Sequence, residues 1–217
     1  MTTRSTFAER YALAWLLAAV ALGTYVWVGA VAQDRPQLDL MTDVDRAIAF
    51  MPWTVWIYLG LFIGIFHAGV FIVDSREHYM RMWLSLVLAG VVAYLFFYIV
   101  PATYPRPDVS GDGASMAFLR LVHRIDPPNN TFPSLHVAYM TLVALGIWRF
   151  DHRVGRLIIG LATLPSLTIL TTKQHYLADL GGGVVLAVLC HWLCFLGSRR
   201  SEAQHDPHPG AALPPLE

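Results

Sequence analysis

Residues 173–196 read KQHYLADLGGGVVLAVLCHWLCFL, in which a short polar stretch runs directly into a long apolar one. A helix rises about 1.5 Å per residue, so about 20 apolar residues cross a hydrocarbon core roughly 30 Å thick. Residues 177–196 have this length and this composition. The stretch therefore predicts a membrane-spanning helix with His175 and Asp179 at its polar end.

Five more apolar runs accompany this one, in a chain of 217 residues with 56% hydrophobic residues, 14% charged residues and a mean hydropathy of +0.50. This composition lies outside the range of ordinary soluble domains. The runs cover residues 11–32, 54–73, 83–100, 135–148 and 157–172. The last two are short, and they become full spans only if their polar ends line a pocket enclosed by protein. We predict an all-α polytopic membrane protein with six transmembrane helices over residues 1–200, and a disordered cytoplasmic tail over residues 201–217.

The basic residues lie mostly on one side of the predicted helices, and such an excess stays in the cytoplasm. The larger group consists of Arg4, Arg10, Arg76, Arg81, Arg149, Arg153, Arg156, Arg199 and Arg200. The smaller group consists of Arg35, Arg46, Arg106, Arg120, Arg124 and Lys173. We therefore expect an integral protein of the plasma membrane with both termini in the cytoplasm. In the first outer linker, Leu40, Val44, Ile48 and Met51 have helical spacing, which predicts an interfacial helix.

The formal charge is balanced, with 15 basic and 15 acidic residues, so no long-range field favours nucleic acid as a partner. Cys190 and Cys194 lie four residues apart in an apolar run, where they are expected to act as small hydrophobic side chains. The expected partners are membrane lipids, and the oligomeric state is left open by the sequence.

Three polar clusters fall at the same membrane face of the predicted topology. They read YPRP at residues 104–107, FPSLH at residues 132–136 and KQHYLAD at residues 173–179. Together they supply cations, two imidazoles and a carboxylate. This face is extracytoplasmic by the charge count, at the ends of the third to sixth predicted spans.

These side chains have the chemistry that phosphoryl transfer requires, namely donors for the phosphate oxygens, a nucleophile and an acid for the leaving oxygen. His175 and Asp179 are four residues apart on one helix, so the carboxylate can orient the imidazole of a nucleophile. Ser134 follows a proline suited to a first helical turn, and it is predicted to bind phosphate at a helix N-terminus. His136 is the candidate general acid, and Arg106 offers a bidentate fork. The scheme requires no metal and no cofactor.

The three clusters resemble the motifs of the type 2 phosphatidic acid phosphatase superfamily, and most closely its inositol phosphorylceramide synthase branch. Arg106-Pro107 is similar to the end of the first motif, residues 133–136 to the Pro-Ser-x-His motif, and His175 with Asp179 to the His-x-x-x-Asp motif. The resemblance implies six spans, a phosphohistidine intermediate on His175, acid–base catalysis by His136 and orientation of the nucleophile by Asp179.

The chain also departs from the phosphatase pattern, because Ile99, Thr168 and Ile169 occupy the positions of a lysine and a serine–arginine pair. Lys173, two residues before His175, is the predicted replacement for one missing phosphate-binding cation. Leu135, at the position usually taken by glycine, is closer to the synthase branch.

Three functions follow as alternatives. The favoured one is hydrolysis of a lipid phosphate through a phosphohistidine. The second is transfer of a phosphorylated headgroup to a lipid alcohol, which would add an alcohol acceptor to the partners. The third is a non-catalytic lipid-binding or transport protein, in which His175 and Asp179 only cap a helix and Arg106 and Lys173 only contact headgroups.

Overall fold

The computed structural model describes residues 4–126 and 128–204, with side chains up to residue 196. Eight α-helices and one 3-10 turn form this part of the chain, which contains no β-strand. The helices are α1 Phe7–Ala32, α2 Asp43–Ala47, α3 Val55–Ile72, α4 Arg76–Ile99, α5 Ala114–Ile125, α6 Leu135–Phe150, α7 His152–Thr171 and α8 Leu177–Gln204. The 3-10 turn, Pro52–Thr54, precedes α3. The all-α prediction is thereby confirmed for the described residues.

Five of these helices are long and apolar enough to cross a membrane, namely α1, α3 with its 3-10 turn, α4, α7 and the Leu177–Leu196 part of α8. The predicted short run at 157–172 reaches full length because α7 begins earlier, after Asp151 accepts hydrogen bonds from the N–H groups of Arg153 and Val154. By contrast α6 has 16 residues, which give a length of about 24 Å against a hydrocarbon core of about 30 Å. Its role as a sixth span stays a prediction.

Helix α6 lies at the centre of the bundle and packs against α3, α4, α7 and α8. Small residues permit this close packing, as is common between helices in membranes. A Cβ atom on Gly146 would lie 2.7 Å from the Met82 side chain, and one on Gly69 would lie 2.9 Å from Val143. These glycines let α3 and α4 approach α6 where larger side chains would separate them.

The start of α6 is held against the start of α8 by a second group of glycines. A Cβ atom on Gly183 would lie 2.6 Å from the carbonyl oxygen of Ser134, and one on Gly182 would lie 2.7 Å from the Phe132 ring. Glycine costs roughly 1 kcal/mol relative to alanine inside a helix. Here it permits the backbone N–H of Ser134 to donate to the carbonyl of Asp179 at 3.0 Å, which joins two of the predicted motifs.

Two loops differ from the sequence predictions. The long linker after α4 contains α5, an amphipathic helix that the sequence analysis did not predict. The predicted interfacial helix over residues 40–51 is only the five-residue α2, which ends at Ala47 because Ile48 is extended ahead of the 3-10 turn at Pro52. Helix α8 continues to Gln204, and the rest of the predicted tail lies outside the described residues.

Candidate active site

The site begins with a hydrogen-bonded chain of three buried side chains from two motifs. His175 Nδ1 lies 3.1 Å from Asp179 Oδ2, and His175 Nε2 lies 3.3 Å from Ser134 Oγ. His175 is 4% exposed, and Asp179 and Ser134 are fully buried. The predicted i, i+4 pairing of His175 with Asp179 is thus present in the structure, and Ser134 completes the chain.

The hydrogen bonds of Asp179 determine which nitrogen of His175 is free to react. A carboxylate can only accept hydrogen bonds, so Nδ1 of His175 carries the proton and Nε2 carries the lone pair. Asp179 Oδ2 also accepts from the backbone N–H of Tyr176 at 2.9 Å, which fixes the carboxylate against the turn that carries His175. The lone pair of Nε2 therefore faces Ser134, at the N-terminus of α6.

Ser134 is the N-cap of α6, because its hydroxyl accepts a hydrogen bond from the N–H of Val137. The first N–H groups of a helix have no intrahelical partners, and they give this end a partial positive charge. This end of α6 lies beside Nε2 of His175, so an anion held there would be in contact with that nitrogen.

His136 lies on the first turn of α6, with its ring centroid 5.8 Å from that of His175 and the two rings nearly perpendicular. Two aromatic rings of α3 hold it in place, Tyr58 at 5.3 Å and Phe62 at 5.2 Å. The structure therefore brings both predicted histidines together, close enough for one phosphoryl group to contact both.

Arg106 lines a small cleft that also includes His175, Tyr104, Asn130 and Gln174. Its Nη2 donates to the backbone carbonyl of Asp126 at 2.5 Å and lies 3.3 Å from the carboxylate. Its Nη1 is buried and has no hydrogen-bond partner among the described residues. One half of the guanidinium is thus fixed, and the other half carries a buried donor without a partner in the described part of the chain.

Tyr104 is a cleft residue to which the sequence analysis assigned no role, although it lies two residues before Arg106 in the first motif. Its ring is buried, with the centroid 4.4 Å from that of Tyr176. Burial and the nearby carboxylates of Asp45 and Asp179 raise the pKa of Tyr104 to about 12. The phenol is therefore protonated at neutral pH and can donate a hydrogen bond within the cleft.

The outer linker fastens the turn that carries His175, a function that the sequence analysis missed. Asp45 lies within the predicted interfacial helix, yet it is buried and its carboxylate accepts from the N–H of Leu177 at 2.8 Å. The hydroxyl of Tyr176 donates to Asp39 at 2.6 Å. Burial raises the pKa of Asp45, but hydrogen bonds from Thr42 and Leu177 outweigh it and hold that pKa below its ordinary value. Both carboxylates thus brace residues that directly follow His175 in the chain.

Lys173 is not among the described residues that line the cleft, and its ammonium group contacts the outer linker instead. It ends α7 in a left-handed conformation with φ 56°, and the N–H groups of Lys173 and Gln174 donate to Leu170 and Ile169. This is the Schellman pattern, in which glycine is the usual residue. The ammonium group donates to the carbonyl of Asp45 at 2.8 Å, and burial lowers its pKa. A role of Lys173 in phosphate binding stays a prediction.

Replacement of Lys173 by glycine tests the predicted role of its cation in phosphate binding without disturbing the left-handed turn. Glycine tolerates the left-handed conformation but removes the cation. We expect KM for a lipid phosphate to change by less than about threefold, because a larger change would require the loss of more binding free energy than one modest hydrogen bond contributes. Steady-state kinetics in detergent would measure it, and an increase in KM above tenfold would show that the ammonium binds phosphate.

Replacement of Arg106 by lysine keeps the positive charge but removes the guanidinium group that can donate two parallel hydrogen bonds. Hydrogen bonds to charged groups contribute about 1.5–3 kcal/mol, so kcat/KM should fall by about 10- to 100-fold. Arg124→Lys is the matched control, because Arg124 is exposed on the same linker. Equal losses in the two variants would contradict a direct contact between Arg106 and phosphate.

These features define a helical membrane protein with two histidines, a buried carboxylate and an arginine at one end of its bundle. A family model described as the PAP2 superfamily matches residues 38–193, so the chain belongs to that superfamily. The match begins after α1 and includes all three motifs. Membership indicates a phosphatase- or phosphotransferase-type function. No curated protein matches the chain.

Proposed function

We propose that the protein is an integral membrane lipid phosphatase that forms a phosphohistidine on His175. One observation carries the proposal, namely that Nε2 of His175 lies 3.3 Å from the hydroxyl of Ser134 while Nδ1 lies 3.1 Å from the carboxylate of Asp179. A histidine that only capped a helix would not need a second histidine 5.8 Å away and an arginine along the same cleft. The arrangement matches a nucleophile with its orienting group, its acid and its anion-binding groups.

The reaction takes two steps. In the first, Nε2 of His175 attacks phosphorus, the bond from phosphorus to the lipid oxygen breaks, and protonated His136 gives its proton to that oxygen. In the second, water attacks phosphorus, His136 removes a proton from that water, the bond from phosphorus to Nε2 of His175 breaks, and inorganic phosphate leaves. Arg106, the Ser134 hydroxyl and the first N–H groups of α6 stabilise the phosphate charge in both steps.

We place the site on the extracytoplasmic side, because the charge distribution favours cytoplasmic termini. The plasma membrane is the proposed location. The favoured substrates are lipid phosphomonoesters, such as phosphatidate or a polyprenyl phosphate, for which water is the acceptor.

Transfer of a phosphorylated headgroup to a lipid alcohol is the second candidate, and one feature of the cleft favours it. The side-chain N–H group of Asn130 donates a hydrogen bond to the carbonyl of Tyr25, whereas its amide oxygen is buried without a partner among the described residues. That oxygen could accept a hydrogen bond from a hydroxyl on a phosphodiester headgroup, as the synthase branch would require. Arg106 is the one lysine or arginine side chain in the described lining of the cleft.

Product analysis would distinguish the candidates. Detergent-purified protein is incubated with phosphatidate, a polyprenyl phosphate or an inositol phospholipid, each with and without ceramide or diacylglycerol, and His175→Asn protein is the blank. Inorganic phosphate released without an acceptor supports the phosphatase. A new phospholipid formed only with an acceptor supports the transferase. Binding of lipid phosphate without either product would leave the non-catalytic alternative.

A further inference from the structure

A separate apolar cavity of about 470 Å³ lies among α1, α3, α4, α5 and α6. This volume is within the range of about 300–1,000 Å³ that is typical of small-molecule sites. Its lining is almost entirely aliphatic and aromatic, and the phenol of Tyr94 already donates to the carbonyl of Ala21. The cavity therefore suits a hydrocarbon ligand.

The cavity connects the catalytic histidine to the middle of the bundle. His136 and Asp126 line one end, and Trp83, Phe66 and Val143 line the other. Trp83 is 5% exposed, and its ring packs against that of Phe66 with the centroids 5.8 Å apart. A rigid aromatic pair thus forms the floor of the cavity.

The depth of the cavity matches one leaflet of a bilayer. Seven residues of α6 separate His136 from Val143, and 11 residues of α4 separate Trp83 from Tyr94. At about 1.5 Å per residue, these separations are roughly 10 and 16 Å. Half of a hydrocarbon core of about 30 Å is about 15 Å, so the floor lies near the middle of the membrane.

The cavity also opens to the surrounding lipid. Leu22 of α1 lines it yet is 54% exposed, and Leu121 and Ile125 of α5 line it while 48% and 52% exposed. Side chains that line a cavity and are also exposed at the protein surface mark the mouth of that cavity. Its mouth is therefore on the side of the bundle, where α1 and α5 face hydrocarbon.

We propose that this cavity holds a hydrocarbon chain of the substrate lipid and that Trp83 sets the longest chain that fits. The proposal rests on the proposed function at His175. A lipid from the outer leaflet would enter past α1 and α5, extend its chain down to Trp83, and present its phosphate oxygen to His136. Ala18 of α1 leaves the space through which the chain passes.

The test uses a homologous series of monoalkyl phosphates of increasing chain length, with phenyl phosphate as the phosphoester without a chain. For the intact protein, kcat/KM should rise by up to about fourfold per methylene, the value for full burial, and then level off when the chain reaches Trp83. Trp83→Leu should move the levelling-off point to longer chains. Ala18→Phe should lower kcat/KM for a long-chain alkyl phosphate, relative to kcat/KM for phenyl phosphate, by about tenfold or more.

Ala19→Phe is the matched control, because Ala19 is exposed and does not line the cavity. It should leave the chain-length profile unchanged. Identical profiles for the intact protein, Trp83→Leu and Ala18→Phe would overturn the chain-binding proposal alone, provided that phenyl phosphate hydrolysis still requires His175. If no phosphoester reacts, even with an alcohol acceptor, the proposed function fails and the chain-binding proposal fails with it.

Discussion

Replacement of His175 by asparagine is expected to lower kcat/KM for a lipid phosphate by roughly 10⁴-fold or more, because the loss of a nucleophile removes the reaction path itself. At about 1.36 kcal/mol per factor of ten, this loss is more than about 5 kcal/mol of transition-state stabilisation. Asparagine is chosen because its amide can still donate to Asp179, so the buried carboxylate keeps a partner. Turnover of detergent-purified protein would measure the effect.

The matched control for this variant is His67→Asn. His67 is partly buried on α3 and far from the three motifs in sequence, and its Nδ1 lies 2.8 Å from the carbonyl oxygen of Ile63 in the preceding turn. It is expected to retain full turnover, and both variants should unfold near the temperature of the intact protein. Turnover within tenfold of normal in folded His175→Asn protein would contradict a nucleophilic role.

Replacement of His136 by glutamine should lower turnover of an alkyl phosphate by about 10²- to 10⁴-fold, the range for loss of a general acid. An alkoxide is a poor leaving group and needs the proton. The loss should therefore depend on the substrate. For nitrophenyl phosphate, whose leaving group needs no proton, the first step should slow by less than about tenfold.

Rapid-mixing measurements of nitrophenolate release would isolate that first step. The His136→Gln variant should then show a fast burst followed by slow turnover, because hydrolysis of the phosphohistidine still lacks its base. Equal losses for the alkyl and nitrophenyl substrates in the first step would show that His136 does not protonate the leaving oxygen.

The main features of the fold follow from local sequence patterns. The lengths of the apolar runs predicted the membrane-spanning helices, and five helices in the described part of the chain are long and apolar enough to cross a membrane. Two of the three motifs that were predicted to share one membrane face are joined through Ser134, His175 and Asp179, and Arg106 of the other motif lines a cleft with His175. Membership of the PAP2 superfamily confirms the family resemblance, whereas its synthase branch stays a proposal.

The missed features depend on contacts between distant segments. Asp45 has the appearance of a solvated acidic residue, and only the packing of α2 against the start of α8 shows that it is buried. Helix α5 was missed because its apolar positions alternate with Arg120 and Arg124 inside a polar linker. The apolar cavity is a space between helices, and the hydropathy of each helix gives no indication of it.

The phosphate-binding role that the position of Lys173 near a motif suggested stays a prediction. The Lys173 cation lies two residues before His175 in the chain, but the left-handed turn at the end of α7 directs it to Asp45. The position of Lys173 in the sequence identified the correct turn, but it did not determine the direction of the Lys173 side chain.

The central claim is the covalent intermediate on His175, and chemical trapping tests it most directly. His136→Gln protein is mixed with a phosphate-labelled nitrophenyl ester, denatured within the burst, and divided between acidic and alkaline conditions. We expect label that is stable to alkali, lost in acid and located on His175, and we expect none in the His136→Gln, His175→Asn double variant. Label that is stable to acid, lost in alkali and located on Ser134 would contradict the account, and so would the absence of protein-bound label during a measurable burst.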